Sequence, residues 1–144
     1  MRYVERRNGR ISTDDVERKC DHNTALIFMS HVEYSQGARN DVKTMADIAH
    51  EHRGYMLVDA FQSVGALDVD VGRLGVDFLS TGSYKWMLGI KGTGFLYIRE
   101  TPIPELRPAL FGWANGPYYD SYTKASRGWI KGSMTLQPGS KPVH

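Results

Sequence analysis

The sequence has 144 residues, of which 41% are hydrophobic and 24% are charged, and its formal net charge is +2 at pH 7. This size and composition are typical of one soluble globular domain. No apolar run is long enough to span a bilayer, no secretory signal pattern follows Met1, and Cys20 is the only cysteine. We therefore expect a cytoplasmic location, no membrane association and no intrachain disulfide.

Two further classes of function find little support in the sequence. Four arginines lie within the first ten residues, but no nucleic-acid-binding motif accompanies them, so a solvated basic segment is the better interpretation. The five histidines show no zinc-ligand spacing with a second cysteine. We predict no nucleic-acid partner and no metal site.

The first predicted elements are a short helix and a buried strand. Asp14, followed three residues later by Glu17, resembles a helix N-cap with its reciprocal partner, which predicts a helix to about Cys20. The apolar run 25–29 has the length of a strand that is buried on both faces, as in a parallel sheet. A loop that turns at Gly37 follows this strand.

A helix and a second strand come next. Asp41 is placed to cap a helix, and Gly54 is placed to end it in a left-handed conformation. One face of this helix carries an apolar stripe of Val42, Met45, Ile48 and Ala49. The strand 55–58 follows directly, which predicts a right-handed βαβ unit.

The last predicted elements surround a lysine. A turn or short helix at 71–74 leads to the strand 76–80, and a glycine-punctuated loop joins it to the strand 94–98. No helical pattern separates these two strands, so we expect the last one to run antiparallel. The sequence therefore predicts an α/β fold with a mostly parallel sheet and flanking helices.

Lys85 lies in the loop between the last two strands and admits two interpretations. A surface lysine on a connecting loop is the commoner case. Because Trp86 and two more apolar residues follow it, the amine could instead be partly desolvated and form a Schiff base. Asp59 ends a buried strand, Gln62 follows three residues later, and open α/β sheets place their ligands at such strand ends. We expect these three residues to converge on one crevice.

Four segments within residues 11–113 resemble the core of the class V aminotransferase family. They read DAFQSVG at 59–65, GVDFL at 75–79, YKW at 84–86 and GTGFLY at 92–97. The family includes cysteine desulfurases, isopenicillin-N-epimerase-like proteins and kynureninase relatives, and it uses pyridoxal 5′-phosphate. The resemblance implies the central part of the large domain of fold-type I pyridoxal-phosphate enzymes.

The resemblance also implies roles for particular residues. Lys85 would form the Schiff base with the cofactor aldehyde and carry the α-proton of the substrate. Asp59 would pair with the pyridine nitrogen and keep the ring an electron sink, and Gln62 would bond the phenolic oxygen. Near the phosphate, Ser83 and Thr81 are the candidate donors.

Further matches and departures concern neighbouring positions. His31 lies at a strand end that borders the cofactor in the family, although a structural histidine is the commoner interpretation there. Tyr84 stands where the family has a histidine that binds phosphate. The loop after His31 reads Glu33-Tyr34-Ser35-Gln36-Gly37, whereas cysteine desulfurases carry an Asn-Glu pair in this loop. This departure favours the epimerase-like branch over desulfurase chemistry.

The likeness does not extend over a whole family member. The family's phosphate loop, the residue that stacks on the ring and the arginine that binds the substrate carboxylate have no counterpart here. We therefore expect residues 1–113 to be a partial large domain, followed by a poorly ordered tail at 114–144. The implied function is that of a fragment of an enzyme that acts on amino acids by transamination, epimerisation or lyase chemistry, as a homodimer. The alternative is a non-catalytic α/β remnant that acts only as an association partner.

Overall fold

The structure, a computed structural model, describes residues 1–7 and 9–106. The elements in chain order are helix α1 (Thr13–Glu17), strand β1 (Leu26–Ser30), helix α2 (Val42–Glu51), strand β2 (Tyr55–Asp59), helix α3 (Val71–Leu74), strand β3 (Phe78–Gly82), strand β4 (Gly94–Ile98) and a 3₁₀ turn (Ile103–Glu105). The segment Met1–Tyr97 forms one compact unit, which contains α1 to β3 and all of β4 except its last residue. The predicted tail at 114–144 lies outside the described residues.

The four strands form one sheet in the order β1-β2-β3-β4. Strands β1 and β2 pair in parallel with Leu26 opposite Tyr55, and β2 and β3 pair in parallel with Leu57 opposite Phe78. The mostly parallel α/β sheet predicted from the sequence is thus confirmed. The antiparallel direction expected for β4 stays a prediction.

Helix α2 supplies most of the cover on one face of the sheet. As predicted, Asp41 caps it, and the Asp41 side chain accepts a hydrogen bond from the Thr44 amide. Met45, Ala46 and Ala49 are fully buried in the core, where α2 packs on β1 and β2. Helices α1 and α3 pack against α2 in turn. None of the described helices is long and apolar enough to traverse a bilayer.

Two predicted helix ends were wrong in detail. The N-cap of α1 is Ser12, whose hydroxyl accepts from the Asp15 amide at 3.4 Å, and Asp14 lies in the first turn. After α2 the left-handed residue is Arg53, with φ 61°, and not Gly54. A Cβ on Gly54 would lie 2.6 Å from the backbone oxygen of Thr24. Gly54 is therefore required for close packing beside the start of β1. The left-handed turn at the end of α2 is made by Arg53.

A buried carboxylate connects α2 to the sheet. Asp77, just before β3, is 3% exposed, and its Oδ2 accepts hydrogen bonds from the Met56 amide and from His50 Nε2, both at 2.8 Å. His50 lies in the last turn of α2, and Met56 lies on β2. One carboxylate thus joins the end of α2, the strand β2 and the start of β3.

On the opposite face of the sheet, the outward side chains at the start of β1 are exposed. Along β1 the burial alternates, so that Ile27 and Met29 lie in the core while Leu26 and Phe28 are 46% and 59% exposed. Side chains alternate between the faces of a strand, so the exposed pair lies on the face away from α2. We call this surface, defined by Leu26 and Phe28, the open face.

Candidate functional site

The carboxyl ends of three parallel strands meet at one edge of the sheet. Ser30, Asp59 and Ser80 are register partners across β1, β2 and β3. The backbone ladder continues one residue further, because the His31 amide donates to the Asp59 carbonyl and the Ala60 amide donates to the Ser80 carbonyl, both at 2.9 Å. This edge is where α/β sheets bind ligands.

Asp59 orders the turn that leaves β2. Its Oδ1 accepts from the Phe61 amide at 2.9 Å, and the amides of Ser63 and Val64 both donate to the Ala60 carbonyl at 3.0 Å. An aspartate that bonds the backbone two residues on is a common way to begin a turn. The side chain stays partly exposed, so the carboxylate that builds the turn is also accessible from the strand edge.

The Lys85 amine lies above two aromatic rings at this edge. Its Nζ is 5.4 Å from the centre of the Phe61 ring and 5.6 Å from the centre of the Tyr34 ring. Both distances fall within the range of cation–π attraction. Phe61 belongs to the Asp59 turn, so the amine is held close to the residues that follow β2. The sequence did not predict these two aromatic contacts, and the convergence of Lys85, Asp59 and Gln62 on one crevice stays a prediction.

A side-chain hydrogen bond joins the Lys85 loop to the same turn. The Trp86 indole Nε1 donates to Gln62 Oε1 at 3.2 Å. The two segments also approach at Gly65, where φ is +91° and a Cβ would lie 2.6 Å from the backbone carbonyl atoms of Trp86. Only glycine meets both conditions, so this residue allows the loop that carries Lys85 to reach the Asp59 turn.

The two predicted phosphate donors are engaged within the protein. Ser83 Oγ donates to the Ile90 carbonyl at 2.9 Å and also contacts the Thr93 hydroxyl, which closes the Lys85 loop on itself. Thr81 is 4% exposed, and its hydroxyl lies 3.5 Å from the Ala60 carbonyl. Either hydroxyl would have to turn away from these carbonyls to serve a phosphate. Their role as phosphate donors stays a prediction.

His31 is set apart from the other predicted residues. It follows Ser30, whose register partner is Asp59, so strand alternation directs His31 to the α2 face and Asp59 to the opposite face. The ring is 1% exposed, and within the described part of the chain its Nδ1 has no hydrogen-bond partner. Burial, reinforced by the charge of Arg39, lowers the pKa of the His31 imidazole. The structure therefore brings Lys85 and Gln62 to the Asp59 turn but places His31 elsewhere.

The side chain of His31 instead borders a cleft of about 330 Å³ on the α2 side of the sheet. The other residues that line it are Arg39, Asn40, Asp41, Val42, Lys43 and Leu74. Asn40 is 5% exposed, and its Nδ2 donates to the Ser30 carbonyl at 2.9 Å and to Glu33 Oε1 at 2.8 Å. These bonds anchor the loop that carries Tyr34 next to β1.

Comparison with known proteins identifies the family. The family model described as aminotransferase class-V matches residues 2–143, a longer stretch than the sequence motifs cover. An uncharacterized aminotransferase of Bacillus subtilis, YcbU, is 34% identical over 129 residues, which are 88% of this chain and 35% of YcbU. The chain therefore belongs to the class V aminotransferase family.

Solved structures show the same fold. The apo structure of a cysteine desulfurase from Thermococcus onnurineus matches with a TM-score of 0.74 and 30% identity, covering 87% of this chain and 32% of that protein. A mutant of C-DES with glycine covalently linked to its PLP cofactor matches with a TM-score of 0.73 and 26% identity, covering 87% and 34%. The chain thus spans about a third of the length of the relatives it matches.

The residues at the strand edge fit the ring and aldehyde end of pyridoxal phosphate. An amine, a carboxylate and a carboxamide lie on the two segments that the Trp86–Gln62 bond holds together. These are the groups needed to bond an aldehyde, to pair with a ring nitrogen and to bond a phenolic oxygen. The donor set for the phosphate is less complete, since both hydroxyls already face protein carbonyls.

Proposed function

We propose that this chain is part of a pyridoxal-phosphate-dependent enzyme that acts on amino acids. The observation that carries the proposal is the position of Lys85, whose amine lies over Phe61 in the turn that Asp59 orders. When bound, pyridoxal phosphate supplies an electron sink for carbanion chemistry at the α-carbon of an amino acid. Transamination, epimerisation and lyase chemistry all begin from that capability.

Each residue has a defined task in this proposal. The Lys85 amine is the nucleophile toward the aldehyde and later carries the α-proton. The Asp59 carboxylate faces the ring nitrogen and favours its protonated form. Gln62 donates to the phenolic oxygen, and Ser83 and Thr81 serve the phosphate after their hydroxyls rotate. His31 acts through its backbone, because the hydrogen bond from its amide N–H to the Asp59 carbonyl holds the end of β2 in place.

Tyr34 bears on the reaction class. Its ring faces the Lys85 amine, and it belongs to the loop in which cysteine desulfurases carry an Asn-Glu pair. An aromatic ring adds apolar contact area above the amine, so it would change which substrate side chains fit there. We propose that the parent enzyme follows the epimerase-like or aminotransferase branch of the family. A homodimer and a cytoplasmic location are part of the same proposal.

Borohydride trapping tests the central assignment. The full chain is incubated with pyridoxal phosphate, reduced with borohydride and mapped by peptide mass spectrometry. We expect the label on Lys85 and its loss in Lys85→Ala, while the matched control Lys91→Ala, an exposed lysine of the same loop, keeps it. Label that is spread over surface lysines and survives Lys85→Ala would contradict the assignment.

A non-catalytic role is the second candidate, and the open face favours it. With Leu26 and Phe28 exposed, the chain offers an apolar surface suited to association. In this proposal the chain by itself captures the cofactor only through Lys85 and turns over no amino acid. Retention of cofactor through dialysis together with turnover of an amino acid by the isolated chain would exclude it.

A further inference from the structure

We propose that Trp86 is a positioning residue that fixes the orientation of the Gln62 carboxamide. A carboxamide has an accepting end, Oε1, and a donating end, Nε2, and the two differ in the ligand atoms that they bind. The Trp86 indole can only donate, and it occupies Oε1 at 3.2 Å. Gln62 therefore presents its donating end to the site. This inference rests on the proposed function for the identity of the ligand.

Packing does not explain the choice of tryptophan at this position. The residue is 56% exposed, so more than half of its surface stays in water. An indole differs from other apolar side chains by its N–H group. In Trp86 this group donates a hydrogen bond to Gln62. The required property of Trp86 is therefore its hydrogen bond and not its bulk.

The backbone holds Trp86 where this bond can form. Gly65, with φ +91°, leaves the space that the backbone carbonyl of Trp86 occupies. The Leu88 amide donates to the Lys85 carbonyl at 3.1 Å and so closes a tight turn around Trp86. Because Lys85 and Trp86 are consecutive, the same turn sets both the amine and the donor direction of Gln62.

The consequence is a preference for one class of ligand atom. A carboxamide that is free to rotate can turn either end toward a ligand, whereas in Gln62 the Trp86 bond holds Oε1 on the Trp86 side and leaves the N–H groups at the other end. The ligand atom that meets this other end must therefore be an acceptor. An oxygen next to the aldehyde of pyridoxal phosphate, which is anionic in its phenolate form, satisfies this requirement, and charge on the acceptor strengthens the bond.

Nuclear magnetic resonance of the cofactor-free chain tests the bond itself. In ¹⁵N-labelled protein, Trp86→Phe identifies the Trp86 indole resonance by its loss. We expect Gln62→Leu to move that indole proton upfield, because its acceptor is gone, and Gln62→Glu to leave it bonded, because an oxygen acceptor remains. Leu88→Ala, an exposed neighbour in the same loop, is the matched control and should not move it. An unchanged indole resonance in Gln62→Leu overturns the inference.

The absorption band of the Lys85 adduct tests the effect on the ligand. After addition of pyridoxal phosphate, we expect a shifted band in Trp86→Phe, Gln62→Leu and Gln62→Glu, and the wild-type band in Leu88→Ala. The yield of reduced label on Lys85 should be similar in all of them. A wild-type band in Trp86→Phe alongside a shifted band in Gln62→Leu overturns the inference. If the wild type forms no adduct on Lys85, the proposed function fails. The shift of the Trp86 indole proton in Gln62→Leu then decides by itself whether Trp86 holds the Gln62 carboxamide.

Discussion

His50 Nε2 and Asp77 Oδ2 lie 2.8 Å apart and connect the end of α2 to the start of β3. The carboxylate is almost fully buried, while a third of the histidine side chain remains exposed. The same oxygen also receives the buried Met56 amide. These contacts therefore contribute to stability mainly because the buried Asp77 carboxylate and the Met56 amide of β2 each have a hydrogen-bond partner.

Asp77→Ala should destabilise the chain strongly. Loss of the carboxylate leaves the buried Met56 amide without an acceptor, which costs about 1–3 kcal/mol. Urea unfolding followed by circular dichroism measures the change. His50→Ala is the matched control. We expect a smaller loss of unfolding free energy in this variant, because Asp77 still accepts the hydrogen bond from the Met56 amide. Equal losses in the two variants would contradict the assigned role of the carboxylate.

Gly65→Ala should both destabilise the fold and displace the Lys85 loop. Gly37 provides the control, since it also has a positive φ, of +66°, but nothing lies within 4 Å of a Cβ placed there. The left-handed backbone alone costs a non-glycine residue about 1–2 kcal/mol, and we expect that loss in Gly37→Ala. At Gly65 the clash with Trp86 should add roughly 1–3 kcal/mol.

The two glycine variants should also differ in borohydride labelling of Lys85. Gly65→Ala should reduce it, because the loop that carries the amine is pushed away from the Asp59 turn. Gly37→Ala should leave it unchanged. Normal labelling in Gly65→Ala would show that the close approach of the two segments is not needed to place the amine.

Acid should destabilise the fold through His31. Burial lowers the pKa of its imidazole below the usual value of 6.5, so the folded state binds fewer protons than the unfolded state in this range. The stability that depends on neutral His31 is complete above pH 6.5 and is lost as the pH falls toward the folded-state pKa. Urea midpoints measured from pH 7.5 down to 5 should therefore decrease in the wild type.

Replacement of histidines separates this contribution from the others. His31→Gln should flatten the decrease, because the group that titrates at the buried position is gone. His22→Gln, at an exposed position, should retain it. A His31→Gln profile that falls as steeply as that of the wild type would assign the acid sensitivity to other groups.

The open face should make the isolated chain self-associate. Parallel sheets are normally covered on both faces, and Phe28 here is 59% exposed. We expect sedimentation to show a dimer or larger species for the wild type and a monomer for Phe28→Glu. Leu88→Glu introduces the same charge at an exposed leucine of the Lys85 loop, and it should not change the assembly. If only Leu88→Glu dissociated the assembly, the contact between copies of the chain would lie in the Lys85 loop and not on the open face.

The sequence predicted the order of elements because each one carries its own local signal. Asp41 and the apolar stripe identified α2, and short apolar runs identified β1 and β2. One of the details that were wrong, the role of Gly54, depends on a contact between distant segments. Gly54 reads as a helix end in the sequence, but the nearby backbone of Thr24 is what requires a glycine.

The candidate site shows the same division. Lys85, Asp59 and Gln62 could be named as candidates from the sequence because parallel strands bring their carboxyl ends to one edge. The aromatic contacts of the amine and the Trp86–Gln62 bond could not, since they depend on how two loops cross. A single sequence also gave no means to see that His31 and Asp59 lie on opposite faces of the sheet, because the exact end of β1 decides it.

The strand order has a consequence for how this part of the protein is made. Each strand neighbours the one that precedes it in the chain, so the sheet grows from β1 to β4 without waiting for a distant segment. Each of the parallel pairings closes a connection that contains a helix, and the entropy cost of closing a loop rises only slowly with its length. During synthesis we expect β1, α2 and β2 to pair before the later strands, which then add to the edge of β2. The lysine loop, which depends on the turn after β2, is then completed last on a surface that already exists.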